Sequence, residues 1–571
     1  MLAGLLFAGS NLLAQEVLPK GLTEAESDLI SNYSFRSNGM TDPPEGPVRT
    51  MAEWEEVEYL VVTWQPNFPN ILRQIVEAAV AECKVIITTQ NEASVSNYLS
   101  SNGVDLTNIT FMDEDWDSIW IRDYAGNTIY SDDVGELALT DWIYNRPRPN
   151  DDVMPSAHAT LLDIPIYITD TGINDLVNTG GNFMSDGMGT AFASELILEE
   201  NEAGNPYGVT PKTEAEIDAI MEAYMGIDRY IKMETLPYDA IHHIDMHMKL
   251  LDEETILVSE YPEGVADGPQ IEENIEYVLS NFQSSFGTPY KIEWMPAPPS
   301  AGGNYPDTGG SYRTYTNAVF INKTVLVPTY RPEVDDPALA QWEELLPGYN
   351  IVGIDVDNPG ENLISLFGAI HCITHTIGVD EPLWIVHQPI AEANSNTTVT
   401  LDAMIKHISG VADATVYWRE AGTTDYAPLT MNDQGDDQWT VDLQIPSGDI
   451  DIEYYIEATA NSGKTLARPL VAPEGYWTIA VGVLSTDDWA NSNISGAYPN
   501  PTTGVVNFAM NQIQGPVQVR VYNMLGQELM NREIQQADGI LSLDLRPDWS
   551  GTLLVIFEGE FGAVRKRVIK Y

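Results

Sequence analysis

Basic residues are scarce in this chain. Its 571 residues include 27 Lys and Arg against 85 Asp and Glu, a formal charge of −58. A surface so negative repels nucleic acid and anionic membranes, and it draws cations toward any cleft that it lines. It also suits a salty or extracellular medium. Cysteine is scarcer still: only Cys83 and Cys372 occur, which leaves room for one long-range bridge at most and excludes a disulfide framework. No stretch after the N-terminus approaches the uninterrupted apolar length that a membrane helix needs, so no membrane span is expected. The opening MLAGLLFAGSNLLAQ, followed by EVLPK, is apolar with a small-residue exit. It reads as a partial signal peptide over 1–15 that lacks the usual basic beginning. What is present is a folded composition: 43% hydrophobic residues with 13 Trp and 27 Tyr leave no room for global disorder. The length predicts two to four domains.

From about 45 to 392, short apolar strands alternate with helical stretches. VEYLVVTW reads as a buried strand, ILRQIVEAAVAEC as a helix with a 3.6-period apolar face, and KVIITT as the next strand. LLDIPIYIT, TILVSEY, VFINKTVLVPTY and NIVGIDV continue the strands. TEAEIDAIMEAYMG and EENIEYVLSNF continue the helices. The pattern predicts one α/β domain, with open and closed sheet arrangements equally compatible. Near 392 the pattern changes to alternating runs split by Gly, Asp and Asn, which predicts a β-sandwich of immunoglobulin or fibronectin type over 395–480. A polar linker, DDWANSNISGA, leads to a last all-β unit over 498–571 with a basic end.

Four motifs in the α/β region carry candidate chemistry. Cys372 lies in GAIHCITHTIG between His371 and His375, where imidazoles can hold a thiolate; a lone cysteine is otherwise more simply a buried filler. HHIDMHMKL is expected on a strand, whose alternation would put His243, Asp245 and His247 on one face. That set is also compatible with metal ligation. SIWIRDYAGN places Arg122 and Asp123 where an apolar strand is expected to give way to a turn. NTGGNFMSDGMGT has a glycine pair but neither a phosphate-loop ending nor dinucleotide spacing.

Together and in this order, WIRDY, GGNFMSDG, HHID, TYTNAVFINKTVLVPTY and GAIHCITH resemble the agmatine deiminase and bacterial, Porphyromonas-type, peptidyl-arginine deiminase family over about 45–392. The resemblance implies a five-bladed α/β propeller (pentein) with its active site in the central channel. It implies Cys372 as nucleophile, His243 as general acid and base, Asp123 and Asp245 as the carboxylates that grip a guanidinium, and Asn317 as a substrate-binding residue. Neither a metal nor an organic cofactor is required by that chemistry. Arg146 and Arg148, in NRPRPNDD, resemble an arginine pair that holds the carboxylate of a C-terminal arginine; an RPR turn paired to Asp151 and Asp152 is the structural alternative. Thr179 stands where the agmatine enzymes carry an acidic residue before the glycine pair. The expected substrates are therefore arginine-containing peptides or proteins, most of all C-terminal arginine, with agmatine as the alternative.

The end of the chain is similar to something else. AYPNPTTGVVNF, VRVYNMLGQELMNREI and LRPDWSGTLLVIFEGEFGAVRKRVIKY resemble the C-terminal sorting domain of the Bacteroidetes type IX secretion system. This implies the secretion machinery as partner, removal of the tail, and a protein that is secreted or attached at the outer-membrane surface. The sandwich would then be a spacer or a binder of glycan or protein. Two rival readings are a non-catalytic surface binding protein and a cysteine–histidine peptidase, which would not need two aspartates for a cation.

Overall fold

The computed structural model describes residues 17–30, 33, 38–448 and 450–482, then 494, 497, 502, 504–510, 515–523, 527–535, 539–547, 549, 551–559 and 562–570. The expected signal peptide and most of the DDWANSNISGA linker lie outside the described residues.

Four small sheets between 127 and 355 repeat one construction: an antiparallel pair, a helix, and a third strand parallel to the second. Asn127–Ser131 and Leu137–Tyr144 pair antiparallel, and Ile166–Thr169 joins after the helix Met154–Leu162. Met184–Ser185 and Thr190–Ser194 are followed by Glu214–Met225 and Arg229–Met233. Met248–Leu250 and Thr255–Glu260 are followed by Gly268–Asn281 and Lys291–Pro296. Val319–Ile321 and Thr324–Thr329 are followed by Pro332–Leu345 and Asn350–Asp355. The first unit, Val57–Thr63, Pro69–Ala79 and Lys84–Thr88, obtains its antiparallel partner from the far end, His375–Gly378. One pairing thus joins the two ends of the α/β region.

Local sequence explains these elements. The helix Pro69–Ala79 starts on a proline and buries Ile71, Leu72, Ile75, Val76 and Ala79, a 3.6-period stripe against the sheet. Glu214–Met225 begins with a Thr213–Glu216 capping box and ends at Gly226 with φ +67. LLDIPIYIT differs from expectation: Leu161 and Leu162 close a helix, and only Ile166–Thr169 is strand. Asp163 in the left-handed region and Pro165 immediately before the strand end the helix there.

Beyond 383 the described chain is all strand and turn. Two sheets share one buried cluster that includes Leu401, Ile405, Val416, Leu443, Tyr454 and Ile456: one contains Thr398–Lys406 and Gln438–Gln444, the other Val411–Glu420 and Ile452–Ala460. A further core, with Val506, Phe508, Val519, Val555 and Phe557, lies among the strands from Val505–Met510 to Gly562–Lys570. Both cysteines are free, Cys83 half-buried and Cys372 fully buried, so the single bridge allowed by the sequence does not form.

Gly226 tests the helix junction. A Cβ there would lie 1.8 Å from the carbonyl oxygen of Val48, on a backbone that disfavours side chains. Gly226→Ala is expected to destabilise the fold by about 2 kcal/mol or more, read as a lower denaturant midpoint. An unchanged midpoint would contradict this account of the junction.

Candidate active site

Short turns at the ends of the small sheets bring the candidate residues together. Asp123 lies on a single helical turn, Ile121–Tyr124, rather than at the end of a strand; the expected strand there is absent. His243 and Asp245 also differ from expectation. His242 has φ +60, and Ile244–Met246 form a 3₁₀ turn, so the extended path needed for period-two alternation is broken before the strand Met248–Leu250. The turn nonetheless delivers both side chains to the site. Cys372 lies on another 3₁₀ turn, His371–Ile373.

The glycine pair is explained by contact distance. A Cβ on Gly180 would lie 1.9 Å from the Arg122 carbonyl oxygen. On Gly181 it would lie 2.3 Å from His243 Nδ1 and 2.9 Å from Asp123 Oδ1. The backbone at Gly181 is therefore the wall against which the imidazole and the carboxylate rest.

All the central groups are buried. His243 Nδ1 lies 3.4 Å from Asp123 Oδ1. Cys372 Sγ approaches Asp245 Oδ2 at 3.6 Å and receives an N–H from Asn317 Nδ2 at 3.2 Å. Asn317 also donates to the Asp245 carbonyl at 3.1 Å, and its side-chain oxygen accepts from the His371 backbone at 3.0 Å. Its amide thus ties the cysteine turn to the aspartate turn. Asp245 Oδ2 meets His371 Nδ1 at 2.8 Å, while His371 Nε2 meets Glu53. Glu53 in turn pairs with Lys249 and lies 3.3 Å from Arg122.

One occupant of this site was invisible in the sequence. Lys20 is fully buried and places Nζ 2.9 Å from Cys372 Sγ, 3.6 Å from Asp245 Oδ1 and 3.8 Å from Asp123 Oδ1. Those two carboxylate oxygens have no hydrogen-bond partner, nor does either ring nitrogen of His243. Arg146 and Arg148 are buried too. Arg146 Nε donates to the Lys20 carbonyl at 3.1 Å. Arg148 donates to Glu26 Oε1 at 2.7 Å and to the carbonyls of Pro19 and Gly21 at 2.8 and 3.2 Å. Asp151 instead accepts from Ser118 and from the backbone of Asp117 and Ser118, so the RPR turn is not closed by a direct arginine–Asp151 pair.

Electrostatics follow from burial and neighbours. Burial would raise the Asp245 carboxyl, but Lys20, His371 and His243 overcome it and hold the group below the usual carboxylate range. Asp123 is likewise lowered, against burial, by Lys20 and His243. Burial would depress the Lys20 ammonium, yet Asp123, Asp245 and Cys372 hold it more firmly protonated than an ordinary lysine. Burial and Asp245 push the Cys372 thiol up to about 12, with Lys20 opposing them. Burial and Lys20 push His243 down to about 4, against the pull of Asp123. The site is therefore a buried, dianionic cation trap beside a thiol and a neutral imidazole. Glu53 and Lys249 also escaped the sequence reading, because no spacing rule connects them to Cys372. His247, the third member of the His-x-Asp-x-His pattern, is buried with its own pKa depressed to about 4 by burial.

Comparison with known proteins places the chain in a family. Residues 49–377 match the Porphyromonas-type peptidyl-arginine deiminase family, and residues 496–571 match the secretion system C-terminal sorting domain. A Shewanella baltica protein named "Putative agmatine deiminase" is 25% identical over 299 residues, 48% of this chain and 76% of its own length. Two solved structures share the fold. One, of a "putative agmatine deiminase", has TM-score 0.51 and 19% identity, with 61% of this chain and 99% of that one covered. The other, of a "putative peptidyl-arginine deiminase", has TM-score 0.50 and 20% identity, with 58% and 99% covered. The sorting domain makes this a type IX secretion substrate, secreted or attached at the surface of a Bacteroidetes-like bacterium. The chain belongs to the Porphyromonas-type peptidyl-arginine deiminase family, and it is a hydrolase of the guanidino group of arginine-type substrates.

Proposed function

We propose that the substrate is peptidyl arginine, converted to citrulline and ammonia through a covalent intermediate on Cys372. The observation that carries this reading is the pair of unpartnered, buried oxygens of Asp123 and Asp245 on either side of a cation. A planar guanidinium presents five donors in a fixed fork, and two carboxylates match both its charge and its spread. Lys20 supplies the charge only.

The steps balance without any further reagent. A cation between the two aspartates favours the Cys372 thiolate: the neutral His243 imidazole takes the thiol proton as the sulfur electron pair forms the S–C bond to the guanidinium carbon. The C–N bond then breaks as His243 delivers a proton to the departing ammonia. The same imidazole takes a proton from water, which adds to the thiouronium carbon, and the S–C bond breaks to restore the thiolate. Guanidinium and water become the ureido group and ammonium. His371 and Glu53 act as positioning residues that fix Asp245, while Asn317, whose Nδ2 lies 3.2 Å from Cys372 Sγ, would bind the substrate as it ties the cysteine turn to the aspartate turn.

Arg146 and Arg148 support the peptide reading, since both direct donors at main-chain carbonyls or a carboxylate beside the pocket. For a C-terminal arginine, the terminal carboxylate would take the place of the Lys20 carbonyl on Arg146. Agmatine has no such group. It remains the second reading, favoured by the names of the curated relatives.

The finer architecture belongs to the same proposal. The five sheet units and the His375–Gly378 pairing support a five-bladed propeller over about 45–392. The two sheets around one core support an immunoglobulin-like sandwich over 395–480. The last unit, 498–571, would be the sorting domain removed on export.

Cys372→Ala is expected to abolish ammonia release from every arginine-type substrate; retained turnover would sink the mechanism. Replacing Arg146 and Arg148 by Ala should reduce kcat/KM for peptides with terminal arginine at least tenfold more than for agmatine, measured side by side with free arginine and internal arginine. Equal losses would favour agmatine. Gly181→Ala, which pushes on the His243 ring, should lower kcat about 100-fold with the denaturation midpoint little changed. Full activity would show that the imidazole is not held there for catalysis.

A further inference from the structure

The segment from Val17 to Leu22 is not a strand, and it leads into a single short helix, Glu24–Leu29. Yet the main chain of residues 18–21 is held like a bound peptide. Trp120 Nε1 donates to the Leu18 carbonyl at 3.0 Å, and Arg148 donates to the Pro19 and Gly21 carbonyls. Arg146 takes the Lys20 carbonyl, while the Lys20 N–H donates to the Leu366 carbonyl at 3.0 Å. All five contacts read backbone, so they are indifferent to side chains other than the one in the pocket. That side chain, Lys20, ends 2.9 Å from the sulfur.

We propose that this segment is a tethered pseudo-substrate: it blocks the deiminase site in the pose that an arginine within a polypeptide chain adopts when it is deiminated. The inference rests on the deiminase reading of the site and extends it to substrate class and regulation. Lysine suits the part chemically. Its ammonium satisfies the charge of Asp123 and Asp245, but its nitrogen is attached to a saturated carbon with no second nitrogen. A thiolate there has no electrophilic centre to attack and no ammonia to expel. Peptide enters and leaves on both sides of the residue in the pocket, so the cradle does not require a chain terminus. Internal arginine is therefore accepted by the same backbone contacts.

The block is anchored on its C-terminal side. Glu26 pairs with Arg148 and closes a capping box with Thr23, and Ile30 is buried with Ile143, Val177 and Tyr207. An open cleft of about 440 Å³ runs beside Pro19, Gly21 and Leu22, so the segment has space into which to withdraw. Tethering gives the lysine a local concentration that a free amine would not reach, in the millimolar range for short linkers.

The test uses the full chain and its Lys20→Ala and Lys20→Arg variants. Alkylation of Cys372 by a small amidine-bearing haloacetyl reagent reads access to the pocket, independently of turnover. Ureido formation on a peptide with internal arginine reads the reaction. Lys20→Ala is expected to alkylate at least tenfold faster than the parent and to deiminate the peptide faster by a similar factor. Lys20→Arg retains the charge, so the fold is preserved if the alanine variant proves unstable. It is expected to acquire citrulline at its own position 20 without added substrate, seen by mass spectrometry, and not when combined with Cys372→Ala. Equal alkylation of parent and Lys20→Ala, with arginine at position 20 left intact, would overturn the proposal. So would loss of peptide turnover in Lys20→Ala without faster alkylation, which would make Lys20 part of the machinery. Faster alkylation with no ureido product in any variant would leave the block standing and remove the deiminase reading.

Discussion

Two carboxylates with no access to water need a cation between them, and the rest of the site is arranged around that need. Asp123 and Asp245 are both buried, and each is held ionised by positive neighbours rather than by solvent. An unpaired buried charge costs several kcal/mol, so such a pair persists only where a cation completes it or where a second layer shares the load. Here both apply. Lys20 provides the cation, and His371, braced by Glu53 with Lys249 and Arg122 behind it, fixes one oxygen of Asp245. The free oxygens are left facing the pocket. Removal of the resident cation leaves a site whose electrostatics favour any guanidinium that can reach it.

This constraint also gives meaning to the shortage of basic residues. In a chain of charge −58, several of its few cations are placed at structural joints, buried or half-buried. Arg49 is bidentate to Glu55 and lies 4.0 Å over the Trp384 ring. Arg468 grips Glu253, Lys464 pairs with Glu56, and Lys406 with Asp133, all of which fasten the later β region to the α/β region. Acidic residues supply solubility and a long-range field, while scarce cations fix geometry. The net negative field draws a cationic substrate toward the molecule.

Much of this was legible in the sequence, and the failures have physical causes. Alternating strands and helices gave the α/β pattern, because a 3.6-period stripe such as Ile71, Leu72, Ile75 and Val76 is dictated locally. The ordered motifs pointed to Asp123, His243, Asp245, Asn317 and Cys372, which do lie together. Their secondary structure was misread. HHIDMHM has strand-like alternation, but a left-handed His242 and a 3₁₀ turn follow from tertiary contacts that no two-residue period encodes. WIRDY suffered the same error. Lys20 carried no signal at all: EVLPK stood only as the stretch after the expected signal peptide, and its contact with Cys372 spans 352 positions. Arg146 and Arg148 stood out through the family resemblance, but their hold on a backbone depends on a segment whose docking the sequence does not announce.

The resident lysine is also a poorer ligand than the substrate it imitates. Its nitrogen lies 3.6 and 3.8 Å from the two carboxylate oxygens, beyond hydrogen-bond reach, and both oxygens remain without a donor. Each buried acceptor left in that condition costs about 1–3 kcal/mol. A guanidinium, wider and with donors on both flanks, can satisfy both at once. On the proposed reading the pocket would discriminate for arginine against lysine by shape, while charge alone admits either. It follows that the segment holds its place through the five backbone contacts, the Glu26–Arg148 pair and the buried Ile30, not through the fit of its side chain. An occupant bound by its tether can thus be displaced by a rival whose side chain fits better.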